Sequence, residues 1–342
     1  MVSKNELISA TMSFTGEDRF RSWYYFLSTL VLMAFAFQGT YWIPFATGKI
    51  ISGLLAGLLT SRLFVIYHDF HHEAILRKSV PAKLLMTVFG ILTLAPPSIW
   101  NETHQHHHNH NSRFSRMVIG SFPTISTHTF KMSSKAQRYW YLLLRHPLMI
   151  LFAYIPIFLV SFCLWPFVEN PKRYYDCGIA VGVHVLIAWA LFTLGGLPVV
   201  VYSLWIPSII LFAVGDYIFY AQHNFPAVML KDDDEWDYME AALCSSSFIK
   251  MNRMMRWFTA NIGYHHIHHV NSRIPFYRLP EVMDKLVELQ NPRTTSLHPA
   301  EIWKCLRLKL WDEKRGRMIS FREFRESEST FDGVKTNSSS SN

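Results

Sequence analysis

The chain has 342 residues, of which 50% are apolar, 15% aromatic and only 17% charged, and its formal net charge is +8. This composition is too apolar for an ordinary soluble domain and indicates a membrane protein with polar excursions. The positive charge does not indicate nucleic-acid binding, because many basic residues lie just before an apolar run, where cytoplasmic retention and anionic lipid headgroups explain them. These residues are Arg113, Arg116, Lys131, Lys135, Arg138 and Arg145.

The first two apolar runs are predicted to cross the membrane. Residues 23–46 carry Trp and Tyr as interface anchors, and residues 50–67 follow after a short polar break. No cleavable-signal pattern precedes them, so we expect the first run to stay in the mature protein. Residues 84–100 are shorter and contain Pro96-Pro97, which favours a re-entrant or interfacial segment over a full span.

Histidines are concentrated where these apolar runs end. Of the 17 histidines, 13 lie in the segments HDFHH (68–72), HQHHH (104–108) and HHIHH (265–269), or at His110 or His223. Each segment can be read as H-x-x-H-H, and positions i, i+3 and i+4 share one face of a helix. Imidazole is the usual nitrogen ligand of transition metals. Nine imidazoles, with His223 as a tenth, exceed what one ion can use, so the spacing predicts a centre of two metals.

The spacing also ranks the remaining polar residues of these segments. His106, His266 and His110 would point to other helix faces, so we do not expect them to be ligands. Spacing does not separate His71 from its neighbour His72. Asp69 could accept a ring N–H from a ligand histidine and fix its tautomer, or be an ordinary helix carboxylate.

The position of His223 constrains the topology of the second half. Residues 147–167 are long enough to cross, and residues 178–222 are almost wholly apolar, with breaks at 195–198 and 206–207. All three histidine segments and His223 must lie on one face of the membrane to share a site. The region 147–222 must therefore cross an even number of times. We expect two crossings there plus one partial segment, which the sequence does not identify, and four crossings in total.

The chain divides into four predicted parts. Residues 1–22 form a cytoplasmic N-terminal segment, and residues 23–282 form a membrane domain that carries the three histidine segments. Residues 283–328 have mixed charge and are predicted to form a cytoplasmic helical segment. Residues 329–342 are serine-rich and predicted to be disordered.

The three segments, in this order and with apolar runs between them, resemble the histidine boxes of membrane fatty acid desaturases. That family lies within a wider superfamily of membrane desaturases and hydroxylases. The phrases QHNFP (222–226), WDY (236–238), WFTANIGY (257–264) and RIP (273–275) extend the resemblance over roughly residues 20–282. The chain looks most similar to bacterial acyl-lipid desaturases of the delta-12 or omega-6 type.

The resemblance implies an all-α integral membrane protein of about four transmembrane helices, with a cytoplasmic helical cap that carries a histidine-rich di-iron site. It implies iron ligands at His68, His72, His104, His107, His108, His223, His265, His268 and His269. The family often has a small residue where His71 stands, and this leaves the choice between His71 and His72 open. It implies no catalytic side chain beyond the metal centre.

The implied reaction introduces a cis double bond into an acyl chain, with two Fe ions as cofactor and O2 as co-substrate. The substrate would be an acyl-lipid or an acyl-thioester. Since no fused haem domain is recognised, the two electrons would come from a separate donor such as ferredoxin. The expected location is the bacterial inner membrane, in contact with its lipids, with both termini and the histidine segments in the cytoplasm.

Three alternative functions fit these residues less well. A di-iron hydroxylase or oxygenase acting on lipids or carotenoids would use the same ligands, and the phrases around His223 and His265 favour desaturation over it. A metal transporter is disfavoured, because the clusters lie at the ends of spans with strict spacing rather than within them. A zinc protease is excluded, because His72-Glu73 is not followed by the second histidine of H-E-x-x-H.

Overall fold

The computed structural model describes residues 4–116 and 119–328, and most of these residues are helical. The predicted disordered tail lies outside the described residues. The helices are α1 Lys4–Met12, α2 Arg19–Trp42, α3 Ala46–His71, α4 Val80–Leu92, α5 Pro97–His110, α6 Thr127–Met132, α7 Lys135–Leu144, α8 Pro147–Leu151, α9 Trp165–Glu169, α10 Tyr175–Val200, α11 Ile206–His223, α12 Tyr238–Cys244, α13 Arg253–Phe258, α14 His265–Val270, α15 Leu279–Lys285 and α16 Pro299–Arg307. Two π-helical segments span Tyr154–Leu164 and Val201–Trp205, and two 3₁₀ turns span Phe114–Arg116 and Val287–Leu289.

Three helical stretches of the described residues are long and apolar enough to cross a membrane, namely α2, α3 and the continuous stretch Tyr175–His223. The last has 49 residues, about 74 Å if straight, against a hydrocarbon core of about 30 Å. Its backbone leaves the helical conformation at Gly195 and at Gly196, whose φ of +70° lies in the left-handed region that favours glycine. Each arm beside this break is long enough to cross, and with α2 and α3 this gives four crossings.

Helices α3 and α11 run parallel and in close contact. Gly53 lies against Tyr202 and Ile206, and four residues later Gly57 lies against Ile210. A Cβ atom at Gly57 would lie 2.6 Å from the Cβ of Ile210, so glycine permits this approach. Because both helices run in the same direction, their C-terminal ends meet on one side of the membrane. The predicted common face of His223 and the first histidine segment is therefore confirmed.

Helices α4 and α5 form a bent pair rather than one straight span. Their axes differ by 89° across a break of at most four residues. Pro96 precedes α5 and Pro97 opens it, and a proline cannot donate the backbone hydrogen bond that would continue α4. This agrees with the predicted re-entrant or interfacial segment before the second histidine segment.

Residues 147–167 are long enough to cross, but the segment around residues 147–169 does not cross. Just before it, Arg145 donates to Asn224 Oδ1 at 2.5 Å, next to His223. Midway, Tyr154 stacks on Phe212, which lies 11 residues before His223 on α11, at a ring distance of 5.4 Å. Past its end, Arg173 pairs with a carboxylate of α5 at 2.8 Å. Both ends thus lie on the histidine side, and the segment is re-entrant.

This segment is interrupted at residues 152–153, and Pro156 removes a further backbone donor. The apolar helix that follows, Tyr154–Glu169, is shorter than 18 residues, and a span needs about 20. It is therefore the partial piece that the sequence did not identify.

Five short strands add to the helical cap. Strands β1 Ile125–Ser126, β4 Leu308–Asp312 and β5 Arg317–Ser320 form one sheet in the order β1-β4-β5, and β2 Phe248–Lys250 pairs in parallel with β3 Thr294–Ser296. Within 283–328, α16 and residues 321–328 are helical, whereas β3 and the β4–β5 hairpin are not. Residues 307–310 alternate basic and apolar side chains, which suits a strand, and Gly316 takes the positive φ that the turn needs.

Candidate metal centre

The nine histidines that the resemblance implied as ligands lie in two buried groups. Within each group the potential ligand nitrogens are all within 4.8 Å of one another. The first group, called group A here, contains His68, His72, His104, His108 and His268. The second, group B, contains His107, His223, His265 and His269. The structure thus divides these histidines into two clusters, the number of sites that the ligand count suggested.

The second and third histidine segments each contribute to both groups. On α5, His104 and His108 belong to group A and His107 to group B, whereas on α14 His265 and His269 belong to group B and His268 to group A. Residues i and i+4 differ by about 40° around a helix, but i+3 and i+4 differ by about 100°. The i and i+4 histidines therefore point to one group and the i+3 histidine to the other.

The first segment departs from this pattern at His71. His68 and His72, at i and i+4, both belong to group A. The ring of His71 instead lies edge-on to Tyr67 at 4.4 Å, and its Nε2 is buried without a hydrogen-bond partner among the described residues. His223, the last residue of α11, completes group B. The geometry favours His72 over His71.

The spacing of the nitrogen atoms is that of ligands around an ion. In group A, His104 Nε2 is 2.9 Å from His72 Nε2 and 3.1 Å from His108 Nε2. In group B, His223 Nε2 is 3.0 Å from His107 Nε2 and 2.9 Å from His265 Nε2. Two adjacent ligands of an octahedral ion with metal–nitrogen bonds of about 2.1 Å would be ~3.0 Å apart. Both groups can therefore hold a metal ion.

Two of these histidines have their outer ring nitrogen fixed by the protein. His68 Nδ1 is 3.2 Å from Asp69 Oδ1, and His223 Nδ1 is 3.1 Å from the Ser245 carbonyl oxygen. A proton on Nδ1 donates to these acceptors and leaves the Nε2 lone pair directed into the group. Asp69 is held in turn by the Phe276 N–H, which donates to Oδ2 at 2.7 Å. The sequence suggested Asp69 for this role but gave no signal for a backbone carbonyl such as that of Ser245.

The α14 histidines lie in an environment that keeps them neutral. Burial lowers the pKa of His265, His268 and His269 well below its ordinary range, and neighbouring imidazoles lower it further. A histidine must be neutral to bind a metal. Their protonation state at neutral pH is thus the one that a ligand needs.

The six-residue helix α14 is positioned by the turn that precedes it. Asn261 has a φ of +59°, a left-handed conformation that Asn adopts more readily than most residues, and its side chain donates to the Phe276 carbonyl at 3.2 Å. A Cβ atom at Gly263 would lie 2.8 Å from the Ile249 carbonyl oxygen in β2, so only glycine allows this approach. The Tyr238 hydroxyl donates to the His269 carbonyl at 2.8 Å. These three contacts fix the position of α14 and thereby that of the third histidine segment.

The other histidines of the segments lie outside both groups. His106 is half-buried, stacks on His110 at 4.2 Å, and its Nε2 contacts the Arg116 carbonyl oxygen at 3.2 Å. His266 is buried, with its Nε2 3.2 Å from the Leu289 carbonyl oxygen. Both therefore face away from the two groups, as their spacing indicated.

An apolar cavity of about 470 Å³ opens onto the histidines. His68 and His104 of group A and His265 of group B form part of its wall. Along α11 it extends to Leu211, 12 residues before His223, which is about 18 Å along the helix axis. Aromatic and aliphatic side chains make up most of the wall, notably Phe64, Val65, Phe158, Phe162, Phe212, Ile218, Phe219 and Ile262. The position of this cavity could not be read from the sequence.

Comparison with known proteins identifies one family. The family model described as "Fatty acid desaturase" matches residues 42–299. A Bacillus subtilis (strain 168) protein named "Fatty acid desaturase" is 28% identical over 278 residues, covering 79% of this chain and 76% of the relative.

Two cyanobacterial proteins are more distant relatives. The Anabaena variabilis "sn-1 oleoyl-lipid 12-desaturase" is 19% identical, covering 77% of this chain and 75% of its own length. The Nostoc sp. (strain 36) "sn-1 acyl-lipid omega-3 desaturase (ferredoxin)" is 21% identical, covering 84% of this chain and 80% of its own length.

Proposed function

The chain belongs to the fatty acid desaturase family, a family of oxidoreductases, and we propose that it inserts a cis double bond into the acyl chain of a membrane lipid. The observation that carries this proposal is an apolar cavity of about 470 Å³. It runs along α11 from Leu211 to Gln222, about 16 Å of helix, and its wall includes histidines of both groups. An acyl chain in that cavity would present one of its methylene pairs to the histidines. The two cyanobacterial relatives are named for acyl-lipid substrates, which supports a lipid-bound chain over a soluble thioester.

We propose that groups A and B each hold one iron ion through the nine histidines named above. Iron supplies the activation of O2 that removal of hydrogen from an unactivated methylene requires. The ligand set consists of neutral imidazoles, which leave the full charge of each ion in place, in contrast to carboxylate-rich di-iron sites. The Asp69 carboxylate and the Ser245 carbonyl hold His68 and His223 in the tautomer that binding needs.

The contribution of the protein to the reaction is positional. The walls of the cavity fix the depth of the acyl chain, so that one carbon–carbon bond lies beside the histidines. Trp100 stacks on the His104 ring at 4.7 Å with an interplanar angle of 13° and also lines the cavity. Such packing holds the imidazole in one orientation while the chain slides into place. The same apolar wall excludes water from the reacting carbon.

The two electrons would come from a separate donor, for which we propose a ferredoxin. The name of the Nostoc relative includes this donor. We further propose a bacterial inner-membrane location with the histidines and both termini in the cytoplasm. The histidine side also carries the basic segment 113–145, and basic residues favour the cytoplasmic side.

The proposal is tested by the fatty-acid profile of a host that lacks polyunsaturated lipids. The host expresses the chain together with a ferredoxin and its reductase, and the lipids are analysed by gas chromatography–mass spectrometry. We expect a new unsaturated chain from the wild type and from the control variant His106→Ala, because His106 is half-buried and lies outside both groups. We expect none from His268→Ala, which removes a group A histidine.

Metal analysis of the same purified proteins gives an independent readout. Two iron ions per chain are expected in the wild type and in His106→Ala, and fewer in His268→Ala. If the products were hydroxylated chains instead of unsaturated ones, the proposed reaction would be oxygenation rather than desaturation. Metal-loaded protein that moves zinc across vesicles and leaves lipids unchanged would refute the proposal.

A further inference from the structure

The cavity wall contains one acidic side chain at membrane depth. Asp216 lies on α11 seven residues before His223, which is two helical turns and places the two residues on one face. The distance along the helix axis is about 10 Å. Asp216 lines the cavity and is 8% exposed. Its carboxyl group is therefore well separated from the histidines but adjacent to the path of the acyl chain.

The carboxyl group of Asp216 has unused hydrogen-bonding capacity. Its Oδ2 is buried without a partner among the described residues. Of the three serines that also line the cavity, Ser61 donates its hydroxyl to the Gly57 carbonyl at 3.0 Å and Ser161 donates its hydroxyl to the Pro156 carbonyl at 2.9 Å. A buried polar atom without a partner destabilises the protein. Ionisable residues inside a membrane usually mark a functional site.

We propose that Asp216 binds a hydroxyl group on the hydrocarbon part of the substrate, so that the cavity selects acyl chains hydroxylated about 10 Å from the bond held at the histidines. This inference rests on the proposed function. An unsubstituted chain that passes Asp216 would cover the carboxyl group and offer it no hydrogen bond. A hydroxyl group can both donate to it and accept from it. Sites built to bond a substrate hydroxyl discriminate strongly against analogues that lack it.

Other ligands fit the surroundings of Asp216 less well. A metal ion would need further strong ligands, and among the described residues Asp216 is the one carboxylate of the cavity wall, about 10 Å along α11 from His223. The phosphate of a lipid headgroup is negative and lies at the membrane surface rather than beside Phe158 and Phe212 in the apolar wall. A neutral hydrogen-bonding group on the chain itself is the ligand that this depth and this wall accept.

The test is a direct binding measurement that does not depend on electron transfer. Wild type, Asp216→Leu and Asp216→Asn are placed in nanodiscs and titrated with phosphatidylglycerols that carry stearoyl or monohydroxystearoyl chains. The position of the hydroxyl group is moved along the chain in the series. For the wild type we expect one position to bind about tenfold to a hundredfold more tightly than stearoyl. Asp216→Leu should lose this maximum, and Asp216→Asn, which retains hydrogen-bonding atoms, should keep part of it.

Three results would overturn the inference. They are a wild-type affinity that does not depend on the hydroxyl position, a maximum that persists in Asp216→Leu, and an equal loss of affinity for every probe in that variant. If Asp216→Leu does not fold, the wild-type series still shows whether affinity depends on the hydroxyl position, and Asp216→Asn shows whether that dependence needs the carboxylate.

Product analysis in the same nanodiscs, with ferredoxin, reductase and O2, tests the proposed function separately. Double bonds formed without any hydroxyl preference in binding would retain the desaturase and reject the role of Asp216. A hydroxyl preference that needs Asp216, without double-bond formation on any probe, would retain the role of Asp216 and reject the desaturase.

Discussion

Gly215→Phe should shorten the cavity without disturbing the packing of α11. Gly215 lines the cavity, and a Cβ atom there would meet no atom within 4 Å outside its own turn of helix. A cavity of about 150 Å³ holds one benzene molecule, so the new ring would occupy roughly a third of the 470 Å³ available. Since an unstrained site exists for the ring, we expect the variant to fold and to bind metal like the wild type.

The expected effect depends on the length of the acyl chain. Gly215 lies eight residues before His223, about 12 Å along the helix, and the cavity continues about 6 Å further to Leu211. If the ring excludes about four methylene groups, at ~0.8 kcal/mol each, the longest chains lose about 3 kcal/mol of binding free energy. That corresponds to roughly a 200-fold loss of kcat/KM. Chains that end before Gly215 should lose little.

The assay compares desaturation of acyl chains of increasing length by wild type, Gly215→Phe and Gly182→Phe. Gly182 is a matched control, because it is an exposed glycine within α10, a Cβ atom there would also meet no atom within 4 Å, and it lies outside the cavity wall. We expect Gly182→Phe to keep the wild-type profile. An equal loss of activity at all chain lengths in Gly215→Phe, or an unchanged preference for long chains, would refute the assignment of this cavity to the acyl chain.

Three further predictions concern the metal centre and the fold. Asp69→Asn should weaken metal binding about tenfold to a hundredfold in a metal titration, because His68 loses its charged acceptor; unchanged affinity would contradict the role of Asp69. Gly57→Leu should lower the free energy of unfolding by about 1–3 kcal/mol or more, measured as a lower Tm, because its Cβ would lie 2.6 Å from a Cβ of α11; an unchanged Tm would contradict the close packing. Burial lowers the pKa of Lys309 from its ordinary value of 10.5 to about 7. Between these two pH values the lysine is protonated in the unfolded chain but not in the folded one, so the stability of the fold should rise with pH across that range. Lys309→Met should remove most of this rise and raise the Tm at pH 7, and an equally steep rise in the variant would assign it to another group.

The resemblance to the desaturase family implied the nine histidines that lie in groups A and B, and helix spacing set aside His106 and His266. The common face of α3 and α11 followed from the requirement that His223 and the first histidine segment share a site. His71 and His72 could not be separated in the same way. Positions i+3 and i+4 are both compatible with a ligand, and the choice depends on the contact between the His71 ring and Tyr67. That contact is a property of the packed core, in which Tyr67 is fully buried, and not of the local sequence.

The cavity could not be predicted from the sequence for a related reason. One of its walls is formed by the π-helical segment Tyr154–Leu164, which belongs to an apolar run that is long enough to cross and that the sequence does not identify as the partial segment. In the sequence, the run 147–167 is as long and as apolar as a membrane span. What distinguishes them here is tertiary, namely the contact of Arg145 with Asn224 before the segment and of Arg173 with Glu102 after it. Asp216 could have been noticed as an acidic residue in an apolar run, but its unpartnered oxygen is visible only in the structure.

The division of each α5 and α14 histidine set between groups A and B has a mechanical consequence. His107 and His108 are adjacent residues of one rigid helix, yet they belong to different groups, and the same is true of His268 and His269. A displacement of α5 or α14 must therefore move nitrogen atoms of both groups together. The His108 and His269 rings, one from each group, also stack at 4.3 Å. Because the cavity wall includes members of both groups, an acyl chain that displaces α5 would alter the two candidate metal sites at once. We therefore expect substrate binding and the geometry of the two candidate metal sites to be coupled through α5 and α14, without any need for a moving loop.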